Sequence, residues 1–158
     1  MTSKEKDQKE DNLIATNRKA FHDYHILEHY EAGIELKGTE VKSCRAKSVT
    51  LTDSFVKIES GEAIMMNVHI AGYEHGNRFN HETKRPRRLL LHKREILKIA
   101  SKIKERGLTV IPLRFYLKKG RVKVDLGIAK GKTLADKRDT MRKKQDDLET
   151  RRVISAYK

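Results

Sequence analysis

Two stretches of this chain alternate apolar and polar residues on both sides of a glycine-containing turn, and this pattern limits the possible folds more than any other feature. In residues 54–70 the alternation is interrupted at Ser60-Gly61-Glu62, and in residues 111–128 it is interrupted at Lys118-Lys119-Gly120. Alternation with a period of two around such a turn predicts an antiparallel β-hairpin. Pro112 cannot donate a hydrogen bond to a neighbouring strand, so we expect it at a sheet edge or a bulge.

The segments outside the hairpins predict one more strand and two helices. Residues 24–36 alternate and are interpreted as a long or bent strand. Thr39 is expected to cap a short helix that ends at Arg45. Apolar residues at helical spacing predict a helix over residues 92–106, with Gly107 as its C-cap.

The expected architecture is a small antiparallel OB-like β-barrel with about three helices, which makes the chain mainly β with helices (α+β). Residues 1–12 are expected to be disordered, residues 13–131 to form the barrel, and residues 132–158 to form a basic tail. Thr133 and Asp136 have the spacing of a capping box at the start of the tail. A narrow stripe of apolar residues, one in seven, cannot hold an isolated helix. We therefore expect the tail to be disordered when free and helical when docked.

The charge of the chain points to an anionic partner. The chain has 36 Lys and Arg residues against 22 Asp and Glu residues, a formal net charge of +14. The excess lies in the second half and includes the basic run at residues 84–88, which is interpreted as the end of an exposed loop. Nucleic acid is the commonest partner of such a chain, although charge alone does not distinguish RNA from DNA. No apolar run reaches transmembrane length, so no membrane attachment is expected.

The chain contains side chains suited to catalysis or metal binding, but the sequence assembles no complete set. His25 and His29 have the spacing of a helical zinc pair, yet they fall in a predicted strand and lack a third ligand. His22 and Asp23 could act as an acid–base pair in a small RNA-processing enzyme, although adjacent side chains are expected to point apart. Neither a metal nor another cofactor is expected. The single Cys44 is expected to be buried and fits a reducing, cytoplasmic compartment.

Ten short motifs occur in one co-linear order between residues 14 and 158, and together they resemble the signature of the SmpB family. The motifs are Asn17-Arg18-Lys19-Ala20, His22-Asp23-Tyr24, Glu31-Ala32-Gly33-Ile34, Gly38-Thr39-Glu40-Val41-Lys42-Ser43, Asp53-Ser54-Phe55, Gly61-Glu62, Arg88-Leu89-Leu90-Leu91-His92, Gly107-Leu108-Thr109-Val110, Lys130-Gly131-Lys132 and Asp136-Lys137-Arg138. Each motif alone is unspecific, whereas the combination is specific.

The resemblance implies a function that has no enzymatic step. It implies an OB-like barrel that binds the tRNA-like domain of transfer-messenger RNA and enters the decoding site of a stalled ribosome in place of the lower half of a tRNA. Elongation factor Tu is implied as a partner through the shared RNA. The tail is expected to probe the empty mRNA channel. A general binder of single-stranded nucleic acid remains the alternative without catalysis.

The resemblance also implies which residues contact RNA, and the charge pattern adds several lysines and arginines. The expected RNA-binding residues are Asn17, Lys19, His22, Tyr24, Glu31, Lys42, Arg45, Arg88, Leu91, His92, Lys130, Gly131 and Lys132. The expected ribosome-contacting residues of the tail are Asp136, Lys137, Arg138, Val153 and Ile154. A carboxylate such as Glu31 repels phosphate but can accept a hydrogen bond from a base edge or a 2′-hydroxyl. A simple ion pair on the barrel remains the alternative for Glu31.

Overall fold

The computed structural model describes residues 12–72 and 82–156, with side chains described as far as Arg152. The elements in chain order are β1 (Leu13–Thr16), α1 (Arg18–Asp23), β2 (Tyr24–Ile34), α2 (Gly38–Arg45), β3 (Val49–Thr50), β4 (Phe55–Glu59), β5 (Glu62–Met66), β6 (His69–Ile70), β7 (Arg87–Leu90), α3 (Lys93–Arg106), β8 (Thr109–Lys118), β9 (Arg121–Gly131) and α4 (Leu134–Ala156).

The strands close into a barrel. Around the ring, β8 pairs with β4, β4 with β5, β5 with β7, β7 with β2, β2 with β9, and β9 again with β8. Every one of these pairings is antiparallel, and β1 pairs with residues 114–116 of β8, further along that strand than its pairing with β4. A closed antiparallel ring removes the free strand edges that an open sheet would expose. The predicted α+β class and OB-like barrel are confirmed.

Both predicted hairpin turns are confirmed, and each has two residues in the left-handed region. Ser60 and Gly61 have φ values of 51° and 75°, while Lys119 and Gly120 have values of 52° and 76°. A two-residue turn with positive φ at both positions matches the right-handed twist of the strands that it joins. The glycine in each turn adopts this conformation without the steric cost that a side chain would add.

The ends of three predicted elements differ from the structure. The second arm of the first hairpin stops at Met66 because Asn67 adopts a φ of 62° and turns the chain, so β6 pairs with β3 instead. The predicted strand over residues 24–36 ends at Ile34. Thr39 lies inside α2, whose cap is Lys37; the Lys37 backbone N–H donates to the Glu40 carboxylate at 2.9 Å.

Apolar side chains from both hairpins fill the barrel, and α3 packs against them. Phe115, Val124 and Leu126 are fully buried in the same cluster as Ile99 of α3. Full burial of a side chain of this size contributes about 1.5–3 kcal/mol. The predicted C-cap of α3 is confirmed, since Gly107 has a φ of 62° and donates to the Ile103 carbonyl.

The basic run at residues 84–88 is not a uniformly exposed patch, and its interpretation is wrong for Arg87. This guanidinium is fully buried at the start of β7, where it forms an ion pair with the equally buried Glu40. It also donates to the Val68 carbonyl at 2.8 Å. Arg85 binds the other oxygen of Glu40 at 2.6 Å. Paired burial of this kind satisfies charges that would otherwise be costly to remove from water.

The tail forms one helix, α4, whose predicted capping box is confirmed. The Asp136 backbone N–H donates to the Thr133 hydroxyl, and the Thr133 N–H donates to the Asp136 carboxylate, both at 3.2 Å. The apolar stripe of the helix is exposed at Leu134, Met141 and Leu148. Val153 and Ile154 lie in the last turns of α4. The expectation that this tail orders only on docking stays a prediction. The predicted disordered segment lies outside the described residues, except for Asn12.

Candidate nucleic-acid interface

Three neighbouring strands, β8, β9 and β2, carry a row of polar side chains away from the barrel core. The register pairs Arg114 with Asp125 and Asp125 with Glu31, so these three residues form one row across the strands. Tyr116 and Lys123 form the next row. Side chains of successive rows on one face of a sheet lie within contact distance. We call these five residues the outer face.

A groove lies beside the outer face where β7 leads into α3. Its volume is about 440 Å³, and Glu31 and Lys123 of the outer face form one wall. Arg88, Leu91 and His92 form the other wall. Four of these residues, all but Lys123, were predicted to bind RNA, and the fold brings them together from positions up to 61 apart in the sequence. We call this site the outer groove.

The carboxylate of Glu31 is held by two donors. Its oxygens accept from the Tyr116 hydroxyl at 2.5 Å and from the Lys118 ammonium at 3.1 Å. The Tyr116 hydrogen bond, with help from Lys118, keeps the pKa of Glu31 below its usual value despite partial burial. Burial and the Glu31 carboxylate raise the pKa of Tyr116, so that hydroxyl remains a donor. The ion pair considered from the sequence is therefore present, and the side chain is still 42% exposed at the groove.

Arg88 contributes an exposed guanidinium to the outer groove. It lies 3.6 Å from both the Glu35 and the Glu62 carboxylates. Exposed ion pairs at this distance contribute little stability, so they exchange readily for a phosphate. His92 is exposed at the start of α3, and Leu91 is half-buried beneath it. The groove thus combines two cations, an imidazole, apolar side chains and three carboxylates, those of Glu31, Glu62 and Glu95.

A second hollow of about 360 Å³ lies where α1 meets β4. We call it the α1 hollow; Lys19, Tyr24 and Phe55 line it, and Lys19 forms a 2.9 Å ion pair with Asp53 at its rim. Asn17 lies beneath and is only 4% exposed. This burial gives Asn17 a structural role as the cap of α1.

The Asn17 side chain makes three hydrogen bonds within the protein. Its amide nitrogen donates to the carbonyls of Leu51 at 3.1 Å and Pro112 at 3.0 Å, and its oxygen accepts from the Ala20 backbone N–H. These bonds tie α1 to β8 beside a bulge between Pro112 and Arg114. The expectation that Pro112 lies at a bulge is confirmed.

A bulge in β2 turns the α1 hollow and the outer groove toward the same side of the sheet. Tyr24 pairs with Gly131 and Glu31 pairs with Asp125, and these partners are six residues apart on β9. Residues an even number apart on a strand share a face. Tyr24 and Glu31 are an odd number apart, but the extra residue Leu27 in the bulge corrects the register.

The base of the tail lies against α1 and the start of β2. The Lys137 ammonium lies 3.4 Å from the Asp23 carboxylate, and the His25 ring lies 3.3 Å from Asp136. The His22 ring approaches Asp23 at 2.8 Å, so the expectation that these adjacent side chains point apart is wrong. At the end of α1 the backbone brings the His22 ring and the Asp23 carboxylate into contact. The His22 hydrogen bond, assisted by Lys137, keeps the pKa of Asp23 below its usual value.

The remaining predicted residues lie at separate places. Lys132 is anchored, since its ammonium donates to the Thr140 hydroxyl at 2.9 Å and to the Phe21 carbonyl at 3.3 Å. Lys130 is exposed on β9, and Arg138 is exposed on α4. The exposed side chains of Lys42 and Arg45 lie on α2, and neither lines the outer groove or the α1 hollow. Gly131 pairs with Tyr24.

Sequence reasoning missed several residues of the two sites. Phe55, Tyr116, Lys118 and Lys123 all contribute, and the alternation that predicts the second hairpin is the signal that could have found the last three, because it puts polar residues on one face of the strands. Alternation shows which residues of a strand share a face, but it does not show which strand lies beside it. The pairing of β2 with β9 joins distant parts of the chain, so it could not be read from a local pattern.

No metal centre forms within residues 12–72 and 82–156, since no three His, Cys, Asp or Glu side chains converge there. His25 and His29, the pair considered for zinc, each contact an aspartate instead, at Asp136 and Asp125. Across the same described ranges, no helix combines the length and the apolar character needed to cross a bilayer.

Together these features define a class: a small basic antiparallel β-barrel protein with a polar groove and a cationic helical tail outside a closed apolar core. The family model described as SmpB protein matches residues 14–156. The chain belongs to the SmpB protein family.

Similar proteins and a similar solved structure agree with this assignment. The SsrA-binding protein of Carboxydothermus hydrogenoformans is 56% identical over 146 residues, covering 92% of this chain and 98% of that protein. The SsrA-binding protein of Caldicellulosiruptor saccharolyticus is 53% identical over 154 residues, covering 97% and 98%. A chain solved in work described as "tmRNA-SmpB: a journey to the center of the bacterial ribosome" matches with a TM-score of 0.67 and 47% identity, covering 83% of this chain and 95% of that one.

Proposed function

We propose that this chain binds the tRNA-like domain of transfer-messenger RNA and delivers that RNA to stalled ribosomes for trans-translation. The observation that carries the proposal is the outer groove, where Glu31, Arg88, Leu91 and His92 come together from separate parts of the chain. The relatives named SsrA-binding protein, at 56% and 53% identity, support the same RNA as the partner.

The chemistry of the groove suits a folded RNA. Arg88 and Lys123 can neutralise phosphates, His92 can stack on an unpaired base, and Leu91 offers apolar contact. Glu31 is ionised and accepts hydrogen bonds, so it can bind a 2′-hydroxyl or a base amino group while repelling phosphate. Cations alone would attract any nucleic acid, whereas a fixed carboxylate among them restricts what fits. This division between attraction and selection favours a shaped RNA over a random single strand.

The tail is proposed to act on the ribosome. Its helix carries exposed cations along most of its length, at Arg138, Arg142, Lys143, Lys144, Arg151 and Arg152. Its first turns touch the barrel through Asp136 and Lys137. A cationic helix held at one end can enter a channel walled by RNA, and the mRNA channel is such a space when it is empty. An occupied channel would exclude the helix, so the tail would report whether mRNA is present.

In this proposal the protein catalyses no bond chemistry, acts in the cytoplasm, and meets elongation factor Tu through the RNA that both bind. The barrel takes the place of the lower half of a tRNA in the decoding site. The rival role for His22 and Asp23, RNA cleavage, makes a distinct prediction. Labelled RNA incubated with the protein across a range of pH, with and without a chelator, should stay intact. Cleavage that His22→Ala abolishes would favour the rival.

The binding proposal is tested with the purified tRNA-like domain of the RNA. Arg88→Ala should weaken binding by about 10-fold and lower the slope of log affinity against log salt by about one, the result for one lost phosphate contact. Arg106→Ala is the matched control, because Arg106 is also an exposed arginine but lies at the opposite end of α3 from His92, roughly 20 Å along the helix. Equal losses in the two variants, or preference for a single-stranded oligonucleotide of equal length, would contradict the proposal.

A further inference from the structure

Arg114, a residue of the outer face, holds its guanidinium over the aromatic ring of Phe21. Its guanidinium carbon is 5.0 Å from the centre of the Phe21 ring, within the range of a cation–π contact. The side chain of Arg114 is 44% exposed. The Phe21 ring therefore lies on one side of the guanidinium, while part of the Arg114 side chain is open to solvent.

Several contacts hold this arrangement in place. The Asp125 carboxylate lies 3.5 Å from the guanidinium, is itself only 18% exposed, and is bonded on its other side by the His29 ring at 3.0 Å. Phe21 packs against the buried side chains of α1 and β8, including Leu113. Arg114 also follows the β8 bulge, a feature that redirects side chains at functional sites.

The position of Arg114 connects the two sites already described. It shares a row with Glu31, separated from it by the single strand that carries Asp125, a distance of roughly 10 Å from the spacing of strands. Phe21 belongs to α1, the same helix that supplies Lys19 to the α1 hollow. An RNA that spans the outer groove and the α1 hollow would pass over Arg114.

We propose that Arg114, backed by Phe21, is a stacking platform for one unpaired base of the RNA bound in the outer groove. Bases splayed out of a folded RNA stack on aromatic rings and on the planes of arginine guanidinium groups. The proposal rests on the proposed function and adds a base contact that the charge pattern does not predict.

The local charges select a base over a phosphate at this position. Asp125 neutralises Arg114, and the next carboxylate in the row belongs to Glu31. A phosphate placed on Arg114 would face the Asp125 carboxylate, whereas stacking uses the flat face of the guanidinium and needs no net positive charge. A lysine could not replace this arginine, because its ammonium has no plane on which a base can stack.

The test compares Arg114→Lys with the wild type for binding to the purified tRNA-like domain. Loss of one stacked base should weaken binding by about 10-fold, with the salt slope unchanged because the charge is retained. Arg106→Lys is the matched control, since it makes the same exchange at an exposed arginine that lines neither the outer groove nor the α1 hollow, and it should bind like the wild type. Phe21→Leu should reproduce part of the loss by removing the ring behind Arg114.

Chemical probing of the bound RNA gives a second readout. Wild-type protein should protect one unpaired base that becomes reactive again with Arg114→Lys, while the other protections remain. Unchanged affinity and protection in Arg114→Lys would overturn the platform and leave the proposed function standing. A salt slope lowered by about one in Arg114→Ala but not in Arg114→Lys would identify a phosphate contact and also overturn it. Failure of the wild-type protein to bind this RNA would overturn both proposals.

Discussion

Arg87 and Glu40 form an ion pair from which solvent is excluded, since both side chains are fully buried. The pair joins β7 to α2, and Arg85, from the segment before β7, binds the other oxygen of Glu40 together with the Lys37 N–H. A buried pair is costly to break, because the partner that remains keeps a charge without compensation. Arg85 and Arg87 therefore serve the stability of the fold, through Glu40, and not RNA binding.

Glu40→Gln should lower the free energy of unfolding by about 3–5 kcal/mol, because it leaves two arginines around a neutral amide. Urea unfolding followed by circular dichroism measures the change. Glu62→Gln is the control, since Glu62 is half-exposed and lies 3.6 Å from Arg88; it should change stability by less than about 1 kcal/mol. If Glu40→Gln also lowered the free energy of unfolding by less than about 1 kcal/mol, the buried pair would add no net stability.

The same pair predicts how stability depends on pH. Burial opposes ionisation of Glu40, but hydrogen bonds from the Lys37 N–H, Arg85 and Arg87 keep its pKa below the usual value. A carboxyl whose pKa is lowered by folding stabilises the protein above its unfolded pKa, near pH 4, and loses that contribution as pH falls through the folded value. Stability measured from pH 7 down to pH 2 should fall more steeply in the wild type than in Glu40→Gln. Parallel curves would contradict this assignment.

Cys44 should be inert to thiol reagents in the folded protein. It is fully buried, and burial raises the pKa of its thiol to about 12. Reaction with a disulfide reagent at pH 8 should therefore proceed only through unfolding and accelerate in urea. Ser101→Cys places a second thiol on the exposed side of α3 and should react at once with one equivalent. Two equivalents reacting at once would place Cys44 in contact with solvent.

Gly127→Ala should destabilise the protein by about 1–3 kcal/mol through overpacking. A methyl group there would lie 2.7 Å from the Leu113 side chain and 3.1 Å from Ile26. Gly131→Ala, four residues further along β9, is the control, because no atom lies within 4 Å of its added methyl group. Thermal unfolding should separate the two variants. Equal melting temperatures would mean that Leu113 moves aside without cost.

Removing the tail should separate RNA binding from ribosome function. Truncation after Lys132 keeps the pairing of Gly131 with Tyr24 and the bond from the Lys132 N–H to the Asp23 carbonyl at 2.8 Å. The truncated protein should bind the tRNA-like domain with an affinity within about 3-fold of the wild type, the small loss coming from the cations removed with the tail. It should nevertheless fail to support trans-translation on stalled ribosomes. Loss of RNA affinity that matches the loss of trans-translation would contradict separate roles for barrel and tail.

The sequence by itself determined the elements whose signals are local. The hairpin turns at Gly61 and Gly120, the C-cap at Gly107 and the capping box of Thr133 and Asp136 depend on residues within a few positions of each other, and all four are confirmed. Periodicity and capping act over one or two turns, so they can be recognised without the fold.

Only the tertiary structure decided the environment of single side chains. Composition placed Arg87 in an exposed basic run and motif resemblance placed Asn17 on the RNA-binding face, yet both are buried and bonded within the protein. The contact of Arg114 with Phe21 likewise requires α1 to fold over β8. Such relationships depend on strand pairing between segments nearly a hundred residues apart. No local pattern encodes them, because the same charged residue can face water or a partner according to which strand lies beside it.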